Sequence, residues 1–235
     1  MTNIYCWVAT HVGHVREHNE DSFAVSVPAE LSETGTWEGQ LPGPHAWAVV
    51  ADGMGGHAAG EVASRVAVEV LRMMLPGVRA KSDIIAALGS ADWAIRDAMT
   101  QEPAIRGMGT TVCGVVAFGH RLAAFNSGDS RIYFLDAGGL RQLSEDHVVH
   151  GHMLTQCLGG SSRAPTVAPH LVTCRLQDDG RLLLCTDGVT DLLTDEQIEE
   201  VLRSSVQPAE ELVEAALKAG GHDNATAIVL QLEAS

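Results

Sequence analysis

Trp47-Ala48-Val49-Val50-Ala51 runs without a polar side chain and stops at Asp52-Gly53. A run this short and this apolar reads as a buried strand, and the aspartate is expected at its end. Beyond it, Val62, Val66, Val70 and Met74 recur every fourth residue, as on one face of a helix. Leu182-Leu183-Leu184-Cys185 repeats the theme, with Asp187-Gly188 close behind it and a Thr194–Gln197 capping box opening another helix. Asp-Gly is also a strong hairpin-turn signal. Here, however, both pairs lead toward helical patterns rather than into a partner strand.

Working outward, Ile4 to Thr10 and Ser22 to Val27 read as strands, and Thr34 to Pro44, rich in Gly and Pro, reads as a connecting loop. A second helix is expected over Asp83 to Met99. Thr111 to Phe118, Leu122 to Asn126 and Arg131 to Leu135 are short β-rich runs with Gly-containing breaks that suit antiparallel hairpins. Pro208 to Ala219 reads as a helix and Ala225 to Leu232 as a last strand. Hairpin-grouped strands with two separated helix pairs point to an α+β fold, helices packed on antiparallel sheets, rather than to a regular βαβ array. No repeat, low-complexity tract or linker divides the chain, so one domain over residues 1–235 is expected.

The composition narrows the function. A chain of 235 residues that is 46% hydrophobic and 19% charged can bury a sizeable core. Its formal charge of −15 argues against nucleic acid and anionic membranes as partners, which are recognised by lysine and arginine excess. Cys6, Cys113, Cys157, Cys174 and Cys185 are odd in number and show no paired spacing, so neither a disulfide framework nor a cysteine-rich zinc site is indicated, and a reducing compartment fits. The N-terminus lacks a basic start followed by an apolar stretch, and no run is long enough to span a bilayer, so a cytoplasmic protein is expected.

The chemistry lies in carboxylates placed where apolar strands end. Asp52 and Asp187 each precede Gly, Asp129 lies in Gly128-Asp129-Ser130-Arg131, and Asp223 precedes Asn224. Strand ends can converge in space, and hard oxygen ligands without cysteine or an obligate histidine suit Mg²⁺ or Mn²⁺ rather than zinc or copper. Glycine after the aspartate lets the backbone approach an ion, leaving the Gly53 carbonyl free as a ligand.

These residues resemble the metal-dependent, type 2C protein phosphatases. The resemblance runs in order through Arg16-Glu17-His18-Asn19-Glu20-Asp21, Asp52-Gly53-Met54-Gly55-Gly56-His57, Gly109-Thr110-Thr111, Gly128-Asp129-Ser130-Arg131, Thr186-Asp187-Gly188 with Asp191, and Asp223-Asn224-Ala225-Thr226. It implies a four-layer α-β-β-α sandwich of two antiparallel sheets with helix pairs outside and metals in a cleft at one edge. It implies that Asp52 bridges two ions, that Asp187 and Asp223 complete the first, and that the Gly53 carbonyl serves the second. Asp129 and Asp191 with Asp187 would form a third, weaker site. Glu20, Asp21 and Asn224 would act through water, and Arg16 would bind phosphate bidentately. The implied activity is hydrolysis of phosphoserine and phosphothreonine in proteins by water activated at two or three Mg²⁺ or Mn²⁺ ions. The implied partners are phosphoprotein substrates and an opposing serine/threonine kinase, in a bacterial signalling setting. A catalytically silent module that binds phosphoproteins is the alternative from another class; the presence of Asp52, Asp187 and Asp223 weighs against it.

Two departures stand out. Some members carry a histidine, as acid for the leaving group, where this chain has Met54, with His57 the nearest substitute. Between Leu143 and Leu154 the family's active-site flap is shortened, which suggests an open cleft that accepts folded phosphoproteins. Cys157 and Arg163 stand at the spacing of cysteine-dependent phosphatases, and His11, His14 and His18, or His147, His150 and His152, could suggest zinc. By this reading the first is a chance spacing, and the histidines belong to solvated loops without the regular helix such a site needs.

Overall fold

The computed structural model describes residues 4–55, 59–118, 121–150, 153–160, 167–175 and 180–232, with only the backbone described for Pro44, Cys174 and Arg175. In chain order the strands are β1 (Ile4–His11), β2 (Asp21–Val25), β3 (Gly35–Leu41), β4 (Trp47–Met54), β5 (Gly109–Thr110), β6 (Val112–Phe118), β7 (Arg121–Ser127) and β8 (Arg131–Asp136). They continue with β9 (Gly139–Gln142), β10 (Val148–Val149), β11 (Met153–Leu154), β12 (Leu158–Gly159), β13 (His170–Arg175), β14 (Gly180–Cys185) and β15 (Ala225–Leu232). The helices are α1 (Ala59–Met74), α2 (Lys81–Gln101), the single turn α3 (Asp187–Thr190), α4 (Asp195–Ser204) and α5 (Pro208–Ala219).

One sheet has the order β3-β1-β15-β14-β8-β9. The other runs β12-β5-β4-β6-β7-β13, with β2 also paired to β4. The pairings within both sheets are antiparallel. Three cores separate the layers. Ala48 and Val50 face the other sheet, where they join Leu182, Leu184 and Ile228. Trp47, Val49 and Ala51 face α1 and α2, against Ala63, Ala67, Leu71, Leu88 and Ile95. Leu183, Cys185, Ala227 and Val229 face Ile198, Leu202, Leu212 and Ala216 of α4 and α5. The continuous apolar runs follow from this arrangement, because a strand sandwiched between a helix layer and a second sheet needs apolar side chains at both phases of its period-2 alternation. Each fully buried Leu or Ile contributes about 1.5–3 kcal/mol.

The fold is thus the α+β arrangement of helices on antiparallel sheets that the sequence pattern indicates, in the four layers that the family resemblance implies, with corrections of detail. Thr34 to Pro44 is not simply a connecting loop, because Gly35–Leu41 forms edge strand β3 on β1, from Ile4↔Leu41 to Thr10↔Gly35. Its outward Thr36, Glu38 and Gln40 alternate with inward Trp37 and Leu41, a strand pattern that its glycines masked. The second strand begins and ends earlier than Ser22 to Val27, at Asp21 and Val25. β4 continues through Asp52 to Met54, since Gly53 and Met54 still pair with Thr110 and Gly109. On α1 the row Val62, Val66, Val70 and Met74 only flanks the core, while Ala63, Ala67, Val68 and Leu71 form its buried face.

Candidate metal centre

The ends of β4 and β15, the turn after β7, α3 and the β1–β2 loop meet in a cleft of about 300 Å³. It is lined by Arg16, Glu20, Asp52, Gly53, Asp129, Asp187, Asp223 and Asn224, with Met54, Thr111 and Leu154 completing the wall. The sequence-derived candidates therefore converge from both ends of the chain. Asp21 lies behind the lining, opposite Asp52 on the adjacent strand. Asp191 is exposed one helical turn beyond Asp187, whose carbonyl accepts its N–H at 2.8 Å.

Backbone contacts explain why these residue types stand where they do. A Cβ on Gly53 would run into the carbonyl of Gly60, so only glycine lets the first turn of α1 lie on the end of β4. The Thr110 hydroxyl donates to the Asp52 carbonyl at 2.8 Å, and the Asp52 N–H donates to the Thr111 hydroxyl at 3.2 Å. Thr111 and Ser130 share a hydroxyl contact at 2.7 Å, tying the Asp52 strand to the turn that carries Asp129. Asn224 has its whole amide engaged. Its nitrogen donates to the carbonyls of Val12 at 2.8 Å and His18 at 2.9 Å, and its oxygen accepts from the Glu20 N–H at 2.8 Å. It fastens the loop that presents Arg16 and Glu20.

Electrostatics make the arrangement uncomfortable for the chain alone. Burial, the largest cause, pushes Asp21 up to about 7 and Asp187 up to about 6, with neighbouring aspartates adding to both shifts. Burial and the charges of Asp21, Asp187 and Asp223 lift Asp52 well above the ordinary carboxylate range. Asp129 and Glu20 are also raised, again chiefly by desolvation. Like charges directly opposite on paired strands, such as Asp21 and Asp52, destabilise a sheet unless something offsets them.

A divalent cation fits this chemistry. The donors are oxygen only, and two buried carboxylate oxygens, Asp21 Oδ1 and Asp187 Oδ1, have no hydrogen-bond partner among the described residues. Among the described residues no three such side chains already close on one point as a finished cage. Asp223 is turned toward Arg16, whose Nη2 donates to Asp223 Oδ2 at 2.6 Å at a half-exposed position.

The buried chain of hydroxyls beneath Asp21 was not read from the sequence. Asn19 Nδ2 donates to Thr10 Oγ1 at 2.8 Å, Thr10 and Thr226 hydroxyls meet at 2.7 Å, and Thr226 Oγ1 donates to Asp21 Oδ2 at 2.7 Å. Thr186 Oγ1 adds a second donor to the same oxygen at 2.9 Å. Thr186 and Thr226 each adjoin or nearly adjoin a quoted aspartate, which was the available signal; Thr10 comes into contact only through the pairing of β1 with β15.

The flap is a short hairpin of β10 and β11, and Leu154 brings it to the cleft wall. Arg131 pairs with Asp146 at 2.7 Å at its root, and the His147 N–H donates to the Gly128 carbonyl at 3.0 Å. His57, His152 and Arg163 lie outside the described residues. Cys157 is half-buried and its thiol is pushed up by desolvation, the opposite of what a thiolate nucleophile needs. His11 Nδ1 accepts from the Gly13 N–H at 2.8 Å, and His18 faces Glu33 at 3.3 Å.

The family model of protein phosphatase 2C matches residues 36–220. This chain belongs to the protein phosphatase 2C family. Within that family it is similar to the serine/threonine protein phosphatase PstP of Mycobacterium tuberculosis, with 34% identity over 200 residues, 77% of this chain and 39% of that protein. The chain thus spans well under half the length of that relative. The serine/threonine phosphatase stp of Listeria monocytogenes is 29% identical over 251 residues, covering 94% of this chain and 93% of that protein. Among solved structures, the PstP catalytic domain in complex with two manganese ions superposes with a TM-score of 0.82 at 30% identity, covering 99% of each chain. The helices flank the sheets, and among the described residues none is long and apolar enough to cross a membrane.

Proposed function

We propose that this chain is a metal-dependent phosphatase that hydrolyses phosphoserine and phosphothreonine in proteins. The observation that carries the reading is the cleft lined by Asp52, Asp187 and Asp223, where Asp187 Oδ1 and, behind the lining, Asp21 Oδ1 are buried with no hydrogen-bond partner among the described residues and a guanidinium stands at the same mouth. The Mycobacterium tuberculosis PstP domain with its two manganese ions supports it by likeness.

Asp52, Asp187, Asp223 and the Gly53 carbonyl would hold two Mn²⁺ or Mg²⁺ ions, and Asp129 and Asp191 together with Asp187 a third. When bound, such ions neutralise phosphate charge and acidify water for in-line attack. Arg16 receives the phosphate, its planar guanidinium matching two phosphate oxygens. Asp21 and Glu20 bear on the centre through water, Asp21 oriented by the hydroxyls of Thr186 and Thr226. Asn224 holds the Arg16–Glu20 loop in place. Met54, two residues after Asp52 in the cleft wall, carries no proton for the leaving group. The substrate's phosphate ester must come from a kinase-type transfer to a protein hydroxyl, and we infer that the chain opposes such a kinase in the cytoplasm as a single catalytic domain.

The test is hydrolysis of a phosphothreonine peptide by metal-stripped protein with Mn²⁺, Mg²⁺ or nothing added, beside Asp187→Asn. Activity that requires metal and is lost in the variant is expected. An inactive metal-replete wild type, on peptides and on several phosphoproteins, would give the lead to a phosphoprotein-binding module.

A further inference from the structure

Helix α2 carries an ion pair whose ends both reach one glycine on the far side of the metal-holding edge. Asp92, only 8% exposed, accepts from Arg96 Nε at 2.9 Å through one oxygen and from the Gly159 N–H at 2.8 Å through the other. Arg96 Nη2 donates to the Gly159 carbonyl at 2.6 Å. Both polar groups of Gly159 are therefore gripped by side chains one helical turn apart, with Ile95 of the same helix face between them. The fit requires glycine: its φ is +76°, and a Cβ would strike Ile95 and the Met108 carbonyl.

Gly159 is one two-residue strand away from the candidate centre. β12 pairs with β5 through Leu158↔Thr110 and Gly159↔Gly109, and β5 pairs with the end of β4 through Gly53↔Thr110 and Met54↔Gly109. Thr110 also donates to the Asp52 carbonyl. Strands of two residues have too few ladder bonds to fix themselves, so their place is set by what stands behind them. Helix α2 has no need of the pair for its own docking, since Ile84, Ala87, Leu88, Ala91 and Ile95 already bury its apolar face.

We propose that Asp92 and Arg96 are positioning residues for the metal centre: through Gly159 and β5 they set the backbone of Asp52 and Gly53, and with it the affinity for the divalent ion. The inference rests on the reading of the cleft as a Mn²⁺ or Mg²⁺ site. Outer groups that orient metal-holding groups typically change metal affinity by about 10–100-fold when removed.

The experiment is Mn²⁺ titration by isothermal calorimetry, with p-nitrophenyl phosphate hydrolysis and circular dichroism, on wild type, Arg96→Gln, Arg96→Lys and Asp92→Asn. Arg96→Gln is expected to stay folded, to bind Mn²⁺ at least about tenfold more weakly, and to regain much of its kcat at saturating Mn²⁺. Arg96→Lys, which keeps the charge and a donor for the Gly159 carbonyl, is expected to restore most of the affinity. Unchanged Mn²⁺ affinity in Arg96→Gln alongside a lowered Tm would make the pair a brace for the fold alone and overturn the proposal. If Arg96→Gln does not fold, Asp92→Asn decides, because it keeps an acceptor for the Gly159 N–H but turns an amide nitrogen toward Arg96 Nε and so breaks the pair that holds Arg96 on the Gly159 carbonyl, and wild-type Mn²⁺ affinity there overturns the proposal equally. A wild type that binds no Mn²⁺ would instead remove the metal-centre reading itself.

Discussion

Replacing Thr226 by valine keeps the shape of a fully buried side chain and deletes one hydroxyl. An ionised Asp21 can only accept, so Thr226 must donate to it, Thr10 must donate to Thr226, and Asn19 to Thr10. Thr226→Val therefore removes a bond to a carboxylate, worth about 1.5–3 kcal/mol, and leaves the buried Thr10 hydroxyl without its acceptor, for a total of about 2–4 kcal/mol. That total applies where Asp21 is charged. Asp21 is pushed up to about 7, so near pH 5.5 its carboxyl is mostly neutral and the loss shrinks to about 1–2 kcal/mol. The sign follows from linkage. The Thr226 bond lowers the Asp21 pKa, so without it the folded variant keeps its proton to higher pH and loses more stability as pH rises through that range. Urea denaturation in chelator at pH 5.5 and 8.5 measures this. A loss of equal size at both pH values would refute the argument that the hydroxyl chain serves a charged Asp21.

Metal-stripped protein as a whole should lose stability as pH rises from 5 to 8. Asp21 at about 7, Asp187 at about 6 and the raised Asp52 hold protons in the folded state that the unfolded chain gives up near its ordinary 3.8. Added Mn²⁺ should reverse that slope, and a Tm in chelator that climbs steadily over this range would contradict it. Arg16→Ala should lower kcat/KM on a phosphopeptide by about 2–4 kcal/mol of transition-state stabilisation. Its effect on stability should stay under about 1 kcal/mol, because the Arg16–Asp223 pair is half-exposed; an unchanged kcat/KM would sink the phosphate-binding role. Gly53→Ala should destabilise by about 3 kcal/mol through the clash with Gly60. A variant as stable as wild type would mean that α1 can retreat from β4 freely.

The layers were legible because burial on both faces leaves runs such as Trp47–Ala51 and Leu182–Cys185, and because Pro208–Ala219 and Ala225–Leu232 carry clear period and punctuation. β3 was not, since its two glycines and flanking prolines outweigh an alternation that only the neighbouring β1 makes decisive. The carboxylates of the cleft could be singled out one by one from their places at strand ends. Their partners could not. The grip of Asp92 and Arg96 on Gly159, and the Thr10–Thr226 contact, depend on which strands become neighbours, and no local spacing encodes that.

The last strand, β15, is not at an edge but in the middle of its sheet, between β1 and β14 and paired along its length, from Ile4↔Leu232 on one side and Gly180↔Leu232 on the other. Asp223, Asn224 and Thr226 arrive with it. A chain emerging from the ribosome thus has a gap at the centre of that sheet until residues 225–232 are made, and contacts across more than two hundred positions must close last. A chain cut before residue 223 would lack both Asp223 and the strand that holds β1 against β14, so the cleft cannot be assembled in part.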